Sequence, residues 1–142
     1  MDAIIEKKSF DAIIDSLSPI RDFLSEKGNS FGFDKKKIYK LCLAVDEVAT
    51  NIIRHGYEEN GKTGGLVDVI TSFYDNKLTV ILEDDAIAYN PLEHALPSEE
   101  DLKKPLEDRP IGGLGVMIAK QSVDEFKYEY NGRNRNIFVI NF

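Results

Sequence analysis

The sequence predicts an α+β fold in which helices cover one face of a largely antiparallel sheet. The first half of the chain carries apolar residues at helical spacing, whereas the second half carries runs in which apolar and polar residues alternate. Two pairs of these runs are separated by residues that favour tight turns, as in β-hairpins. The paired runs are residues 66–74 and 77–83, joined by Asp75 and Asn76, and residues 125–130 and 135–142, which flank Asn131 and Gly132. Because hairpins pair antiparallel strands, we expect a two-layer sandwich of one mostly antiparallel sheet and a helical layer.

The chain is expected to begin with a short strand and a first helix. A short strand is predicted to begin at Ile4 and Ile5. Ser18 followed by Pro19 has the pattern of an N-cap residue with proline in the first helical position. This helix is predicted to run to about residue 27, just before Gly28.

The most informative element is a long helix that is predicted to begin after Asp34, its N-cap, and to end at Gly56. Its apolar residues have the spacing of a core-facing stripe. The stripe consists of Ile38, Leu41, Cys42, Val45, Val48, Ala49 and Ile52. The polar face carries Glu47, Asn51 and His55, which fall within a sector of roughly 80° because an α-helix advances about 100° per residue. A carboxylate can polarise a hydroxyl or a water, and an amide oxygen is a suitable Mg²⁺ ligand, whereas simple solvation is the alternative interpretation.

Two segments without a core-forming pattern lie between the later elements. Residues 58–65 form a polar, glycine-rich connection, and residues 85–112 contain four prolines and many charges. A loop as long as the second segment is usually a functional lid or disordered. Residues 113–123 return to helical periodicity. Since the chain shows neither an internal repeat nor an interdomain linker, residues 1–142 are predicted to form a single domain.

Composition and charge exclude several classes of protein. An apolar content of 42% and an aromatic content of 10% are typical of a globular fold. The formal charge of −7, with scattered basic residues, argues against direct nucleic-acid binding, which depends on clustered Lys and Arg. Cys42 is the only cysteine and lies on the apolar stripe, so we expect neither a disulfide nor a cysteine metal site. No apolar run is long enough to cross a membrane, and the N-terminus lacks the pattern of a signal peptide, so a cytoplasmic protein is expected.

Three segments besides the long helix have residues that suit a nucleotide. Asp84 follows an apolar strand, where its carboxylate can accept a hydrogen bond from an exocyclic amine, although a simple turn has the same pattern. Gly112, Gly113 and Gly115 open a helix, where backbone N–H groups can bind phosphate, although a tight helix entry also needs small residues. Arg109 precedes these glycines and can reach a phosphate from a lid, or can lie on the surface among acidic neighbours.

The order and spacing of these segments resemble those of the GHKL superfamily of ATPases and kinases. Within it, the chain is most similar to the bacterial anti-sigma-factor serine/threonine kinases, and the likeness is clearest over residues 41–142. Residues 47–57 resemble the N box of that family, which implies the two-layer GHKL (Bergerat) fold with a long ATP lid. The resemblance implies that Glu47 is the general base, Asn51 the Mg²⁺ ligand and Asp84 the partner of the adenine amine. It implies a nucleotide-binding set of Asn51, His55, Asp84, Ala86, Arg109, Gly112, Gly113, Leu114 and Gly115.

The sequence departs from the family at one position. The first glycine box usually reads Asp-x-Gly, whereas here it reads Asp84, Asp85 and Ala86. Alanine adds a methyl group and disfavours positive φ, so either a tighter adenine side of the site or weaker nucleotide binding is expected.

The function that the resemblance implies is ATP-dependent phosphorylation of a serine or threonine on a STAS-type anti-anti-sigma protein. ATP and Mg²⁺ are then the nucleotide and metal, a sigma factor is the second partner, and the chain pairs with itself as a homodimer. Two alternatives remain open from the residues. One is a GHKL-like protein-binding module with little or no nucleotide turnover, which Ala86 favours; the other is an ATP hydrolase without a protein substrate.

Overall fold

The computed structural model describes residues 3–92 and 113–142, and it has the α+β architecture that the sequence predicts. Five strands form one sheet in the order β1-β2-β3-β5-β4, and every neighbouring pair is antiparallel. The strands are β1 Ile4–Asp11, β2 Leu66–Tyr74, β3 Lys77–Asp84, β4 Glu125–Tyr130 and β5 Asn134–Asn141. The predicted hairpin at Asp75 and Asn76 is confirmed, since both residues have positive φ, as a tight hairpin turn requires.

One face of the sheet is buried under the helices. Along β3, Leu78, Val80, Leu82 and Asp84 are buried, while the residues between them are partly exposed. On β5 the same face carries Asn134, Asn136, Phe138 and Ile140. Apolar side chains thus fill the middle of this face, whereas polar side chains occupy one end of it. Register places Asp84 opposite Asn134 and Leu82 opposite Asn136, so the polar end is shared by two neighbouring strands.

Within the described residues, three α-helices supply the other layer. They are α1 Leu17–Ser30, α2 Lys35–Asn51 and α3 Gly113–Ser122. The core contains residues from α1, α2 and α3 together with the inner sheet face. The side chain of Asp34 accepts a hydrogen bond from the backbone N–H of Lys37 at 2.9 Å, which confirms the predicted N-cap of α2.

The predicted start of α1 is wrong by two residues. A 3₁₀ turn over Ile14–Ser16 leads directly into the helix, so Ser16 is the N-cap residue and makes no side-chain cap bond. Ser18 therefore lies inside the first turn, and Pro19 is tolerated there because the first N–H groups of a helix have no intrahelical partner.

The predicted end of the long helix at Gly56 is also wrong. After α2 the chain continues as a π-helical turn over Ile52–Tyr57 and a 3₁₀ turn over Glu58–Asn60. The helical segment ends at Gly61, which has a φ of +66° and adopts the left-handed conformation that commonly ends a helix. Gly56 has no positive φ and is small for another reason: a Cβ built on it would lie 2.9 Å from the Cβ of Ala86.

The first strand begins at Ile4, as predicted, and at eight residues it is not short. It pairs with β2 from Ile4 opposite Phe73 to Asp11 opposite Leu66, and only Phe10 within it is buried. An edge strand with one buried side chain shows little alternation of apolar and polar residues, so the sequence does not indicate where this strand ends. The predicted helix at 113–123 is confirmed to within a residue. Of the predicted loop at 85–112, residues 85–92 contain no helix or strand, and the rest lies outside the described residues.

Candidate functional site

The polar end of the inner sheet face meets the end of α2 in a narrow pocket. Its cavity volume is about 20 Å³, close to the space of a single water molecule. It is lined by Val48, Asn51, Ile52, Gly56, Asp84, Ala86, Ile87, Tyr89, Pro91, Asn134 and Asn136. The structure therefore brings together Asn51, Asp84 and Ala86, three of the residues predicted from sequence.

Asp84 is the most deeply buried acid of this pocket, with an exposed fraction of 0%. One oxygen, Oδ1, accepts hydrogen bonds from the Ala86 backbone N–H at 3.0 Å and from Asn134 Nδ2 at 2.9 Å. The other, Oδ2, is buried and has no hydrogen-bond partner among the described residues. Burial raises the pKa of this carboxyl above its ordinary value, although the two hydrogen bonds oppose that effect. A buried acceptor without a partner is costly, so this oxygen is well suited to a ligand donor.

Asn134 fixes the segment that follows β3. Its Nδ2 group also donates to the carbonyl oxygens of Ala86 at 3.2 Å and Ile87 at 3.0 Å. Its Oδ1 atom accepts from the backbone N–H of Tyr89 at 3.1 Å and from the hydroxyl of Tyr128. Asn134 is not among the residues predicted from the sequence. The available signal was a polar side chain at an inward position of a strand that is otherwise apolar on that face.

Asp85, next to Asp84, is held from two sides. The Tyr57 hydroxyl accepts a hydrogen bond from the Asp85 backbone N–H at 2.9 Å and donates to the Leu66 carbonyl at 3.0 Å. The guanidinium of Arg133 contacts the Asp85 carboxylate at 2.7 Å and also pairs with Glu83 at 3.2 Å. Because Glu83 and Asp85, the residues on either side of Asp84, are both held by these contacts, the position of the free oxygen of Asp84 is well defined.

Two amide side chains complete the polar lining. Asn51, the last residue of α2, has a buried Nδ2 group without a partner among the described residues. Asn136 has a buried Oδ1 atom that also lacks a hydrogen-bond partner among the described residues. The buried atoms of the pocket without a partner are thus two acceptors, Asp84 Oδ2 and Asn136 Oδ1, and one donor, Asn51 Nδ2.

Glu47 and His55 lie outside the lining of this pocket. Glu47 is half-buried and lies one helical turn before Asn51. His55 pairs through Nδ1 with Glu59 at 2.9 Å. Continuous α-helix would place His55 on the same face as Asn51. The wider π-helical turn that begins at Ile52 directs His55 away from the pocket and brings Gly56 to the pocket instead.

The phosphate-binding residues predicted from sequence are described only in part. Gly113, Leu114 and Gly115 form the first turn of α3, which packs against α2 through a segment in which Val116 and Ala119 are buried. Gly112 and Arg109 lie outside the described residues.

Ala86 does not need the positive φ that glycine would provide. Among the described residues, only Asp75 and Asn76 have positive φ without being glycine, so the expected backbone conflict at Ala86 does not arise. Ala86 is 7% exposed, and its methyl group faces Gly56. The two positions are therefore complementary: the larger residue at 86 requires the smaller one at 56.

We predict that Gly56→Ala destabilises the fold by about 1–3 kcal/mol, because the new methyl group meets the Ala86 Cβ at 2.9 Å and both are fixed to backbone. Ala86→Gly in the same chain removes that contact, so the double variant should recover much of the loss. Urea unfolding of both single variants and the double variant measures the coupling. An equal cost of Gly56→Ala with alanine or glycine at position 86 would contradict this interpretation.

A metal site built from protein ligands alone is absent from the described parts of the chain, where no three His, Cys, Asp or Glu residues lie close enough to hold an ion. Mg²⁺ can also be held by one amide oxygen of a protein, with its other ligands taken from phosphates and water. Asn51 has the required chemistry, since its side chain carries an amide oxygen and lines the pocket. Within residues 3–92 and 113–142, no helix has both the length and the apolar character to span a bilayer.

The chain is similar to curated kinases over most of its length. Serine-protein kinase RsbW of Bacillus thuringiensis (strain Al Hakam) and of Bacillus cereus (strain 03BB102) are each 27% identical to it over 110 residues. Each match covers 76% of this chain and 66% of the relative, so the chain spans just under two thirds of the length of these relatives.

Two solved structures share the fold. The RsbU and RsbW domains of a Mycobacterium tuberculosis protein align with a TM-score of 0.67 at 16% identity, over 97% of this chain and 32% of that chain. The histidine kinase domain of a blue-light activated kinase from Erythrobacter litoralis aligns with a TM-score of 0.54 at 17% identity, over 93% and 61%. These likenesses confirm the predicted GHKL-type architecture. The model of the histidine kinase-like ATPase domain matches residues 10–140, from the first strand into the last, and the chain therefore belongs to that family.

Proposed function

We propose that the protein is an ATP-dependent serine/threonine protein kinase that acts as an anti-sigma regulatory factor. The observation that carries this proposal is the free, fully buried oxygen of Asp84 in a pocket shared with Asn51. Such an acceptor suits the exocyclic amine of adenine. The relatives named serine-protein kinase support transfer to a protein hydroxyl rather than to water.

The proposed chemistry assigns one task to each remaining group. Asn51 would hold Mg²⁺, which when bound offsets the negative charge of the phosphates. Backbone N–H groups of residues 112–115, at the start of α3, would bind the phosphates, and Arg109 would contact the terminal one. Glu47 would accept the proton of the acceptor hydroxyl. The hydroxyl oxygen then bonds to the γ-phosphorus as the bond to the β–γ bridging oxygen breaks, and ADP leaves.

We further propose a STAS-type anti-anti-sigma protein as the phosphate acceptor and a sigma factor as the second partner. The support is the resemblance of the N box at 47–57 to the anti-sigma-factor kinases. A homodimer and a cytoplasmic site of action belong to the same proposal. Direct nucleic-acid binding is not part of it, because a formal charge of −7 opposes contact with phosphate backbones.

One observation favours the second candidate, a protein-binding module with weak or no nucleotide turnover. The cavity volume of about 20 Å³ is much smaller than the volume of a purine. Ile87, Tyr89 and Pro91 line it, and Asn134 bonds the backbone of this segment at Ile87 and Tyr89. A nucleotide can therefore enter only if the segment after Asp84 shifts, and binding must supply the free energy for that shift.

We predict that Mg²⁺-ATP stabilises the protein against thermal unfolding. Saturation at a hundred times the dissociation constant adds about 2.7 kcal/mol, which for a chain of this size corresponds to a rise in Tm of several degrees. The same titration in the presence of EDTA should give a smaller rise, because the phosphates then lack their metal.

The kinase and the binding module are distinguished by two measurements. A rise in Tm, together with transfer of label from ATP to a STAS-domain protein of the host, supports the kinase. No change in Tm at millimolar ATP favours the binding module, and release of phosphate without labelled protein favours a hydrolase.

A further inference from the structure

A cluster of charged side chains lies on the outer face of the sheet, and Arg133 is at its centre. Arg133 is the last residue before β5. Its Nε atom donates to Asp85 Oδ1 at 2.7 Å, its Nη1 atom to Glu83 Oε2 at 3.2 Å and its Nη2 atom to Asp68 Oδ2 at 3.0 Å. All three nitrogens of one guanidinium therefore bind carboxylates, which belong to three different residues.

This cluster differs from an isolated ion pair at the surface, which contributes little. The side chains of Asp68 and Glu83 are only 10% and 17% exposed. Without Arg133, the nearest cations in the described structure would be Lys7, 3.6 Å from Asp68, and Arg135, 3.9 Å from Glu83. Register places Asp68 directly opposite Glu83, so the two charges would also repel each other. The arrangement of these strand ends therefore depends on Arg133.

The cluster lies behind the acid of the pocket. Asp84 pairs with Asn134 of β5, and the preceding Glu83 pairs with Asp68 of β2. Because successive side chains of a strand point to opposite faces, Glu83 faces Arg133 while Asp84 faces the pocket.

Asp85 connects the cluster to the pocket. It is the first residue after β3, and its two neighbours in the chain, Asp84 and Ala86, both line the pocket. The hydrogen bond from the Ala86 backbone N–H to Asp84 Oδ1 closes this short turn at 3.0 Å. Arg133 holds the Asp85 carboxylate on the outer face through Nε at 2.7 Å and Nη2 at 3.5 Å. It therefore restrains the backbone between two residues of the pocket.

Arg133 also acts on Asp84 through its charge. Burial raises the pKa of the Asp84 carboxyl and the neighbouring Asp85 adds to this effect, whereas the guanidinium of Arg133 opposes it. Tyr57, which bonds the same turn from the π-helical side, is neutral at pH 7 because burial raises its pKa above 10. Since only a deprotonated Oδ2 atom can accept a hydrogen bond from an amine, Arg133 favours the binding form of Asp84.

We propose that Arg133 is a positioning residue for nucleotide binding, because it holds the turn at Asp84–Ala86 against the outer face of the sheet. This inference rests on the proposed function, in which Asp84 binds the amine of the base. The guanidinium acts from behind the pocket, through the turn and through its charge. Asp85→Asn would keep an oxygen for the Nε donor, so the large effect is expected from the loss of Arg133 and not from the loss of the Asp85 charge.

Arg135→Gln is the matched control for Arg133→Gln. Arg135 lies two residues further along the chain, its side chain is exposed to a similar extent, at 27% against 30%, and it also pairs with Glu83. Its second partner is Glu129, at 3.0 Å, rather than Asp85. Each substitution removes one positive charge from the outer face, but only Arg133→Gln releases the turn.

The test combines amide hydrogen exchange and a carboxyl pKa, both measured by NMR, with calorimetric titration of Mg²⁺-ATP. In Arg133→Gln the Ala86 N–H should exchange about tenfold faster than in wild type, while the Leu82 N–H within β3 keeps its rate. The pKa of Asp84 should rise, and the Kd for Mg²⁺-ATP should increase about tenfold, as for one lost hydrogen bond to a charged group. In Arg135→Gln the exchange rate and Kd should stay within about threefold of wild type. If Arg133→Gln does not fold, exchange and Kd are measured in Arg133→Lys, whose single ammonium lacks the planar fork that binds three carboxylates.

The outcomes separate this inference from the proposed function. Unchanged exchange at Ala86 in Arg133→Gln, or an equal change in Arg135→Gln, overturns the role of Arg133 in holding the turn. Faster exchange at Ala86 with an unchanged Kd for Mg²⁺-ATP overturns its role in binding. Wild-type protein that does not bind Mg²⁺-ATP at millimolar concentration overturns the proposed function, and exchange at Ala86 then still decides whether Arg133 holds the turn.

Discussion

Asp84→Asn is expected to abolish ATP binding while making the protein more stable at neutral pH. The substitution keeps Oδ1, which accepts from the Ala86 N–H and from Asn134. It replaces the free acceptor Oδ2 by an amide donor. The adenine amine would then face a donor instead of an acceptor, so we expect affinity to fall by about a hundredfold or more.

The gain in stability follows from the pKa of Asp84. Burial raises this pKa above its ordinary value of 3.8, against the opposing hydrogen bonds from Asn134 and Ala86. A carboxyl whose pKa is raised in the folded state contributes stability below its unfolded pKa, and this contribution is lost as pH rises through the folded pKa. At neutral pH the buried charge is therefore unfavourable, and the neutral amide of Asp84→Asn should add on the order of 1 kcal/mol to the free energy of unfolding. The difference should shrink when urea unfolding is repeated near pH 4.

Asp85→Asn provides the matched control. Asp85 is the next residue, is exposed and pairs with Arg133 at 2.7 Å rather than facing the pocket. Its substitution should leave ATP affinity within about threefold of wild type, because exposed ion pairs contribute little. Wild-type affinity in Asp84→Asn, or an equal loss in both variants, would show that Asp84 does not recognise the base.

Features that depend on neighbouring residues were predictable from the sequence. The turn at Asp75 and Asn76 is one example, because the preference of these residues for positive φ acts within four residues of chain. The capping of α2 by Asp34 is another. The length of β1 was not predictable, since its pairing with β2 depends on residues about 60 positions away and only Phe10 is buried.

The same distinction between local and long-range features applies to the candidate site. Asp84 and Asn51 are predicted because they belong to a recognisable order of segments, and both line the same pocket. Asn134 was missed because its bonds to Asp84 and Ala86 depend on strand register rather than on a local pattern. His55 was expected beside Asn51, but helical periodicity does not anticipate a π-helical turn.

Glu47→Gln is expected to stop phosphoryl transfer while leaving ATP bound. Glu47 is half-buried on α2, one turn before Asn51, and does not line the pocket of Asp84. Glutamine keeps the size of the side chain but cannot accept a proton from the attacking hydroxyl, so the rate of transfer should fall by about 10²–10⁴-fold. The dissociation constant for Mg²⁺-ATP should stay within a few-fold of wild type, since the groups proposed to bind the base and the metal are unchanged.

The neighbouring acid on the same helix is the control. Asp46 pairs with Arg21 of α1 at 3.3 Å, which directs it away from the pocket. Asp46→Asn should therefore transfer label from ATP to the STAS-domain protein at nearly the wild-type rate. Transfer by Glu47→Gln at the wild-type rate would show that Glu47 is not the base. Equal loss in both variants would instead assign the defect to α2 as a whole, because Asp46 and Glu47 share the helix but only Glu47 lies one turn before Asn51.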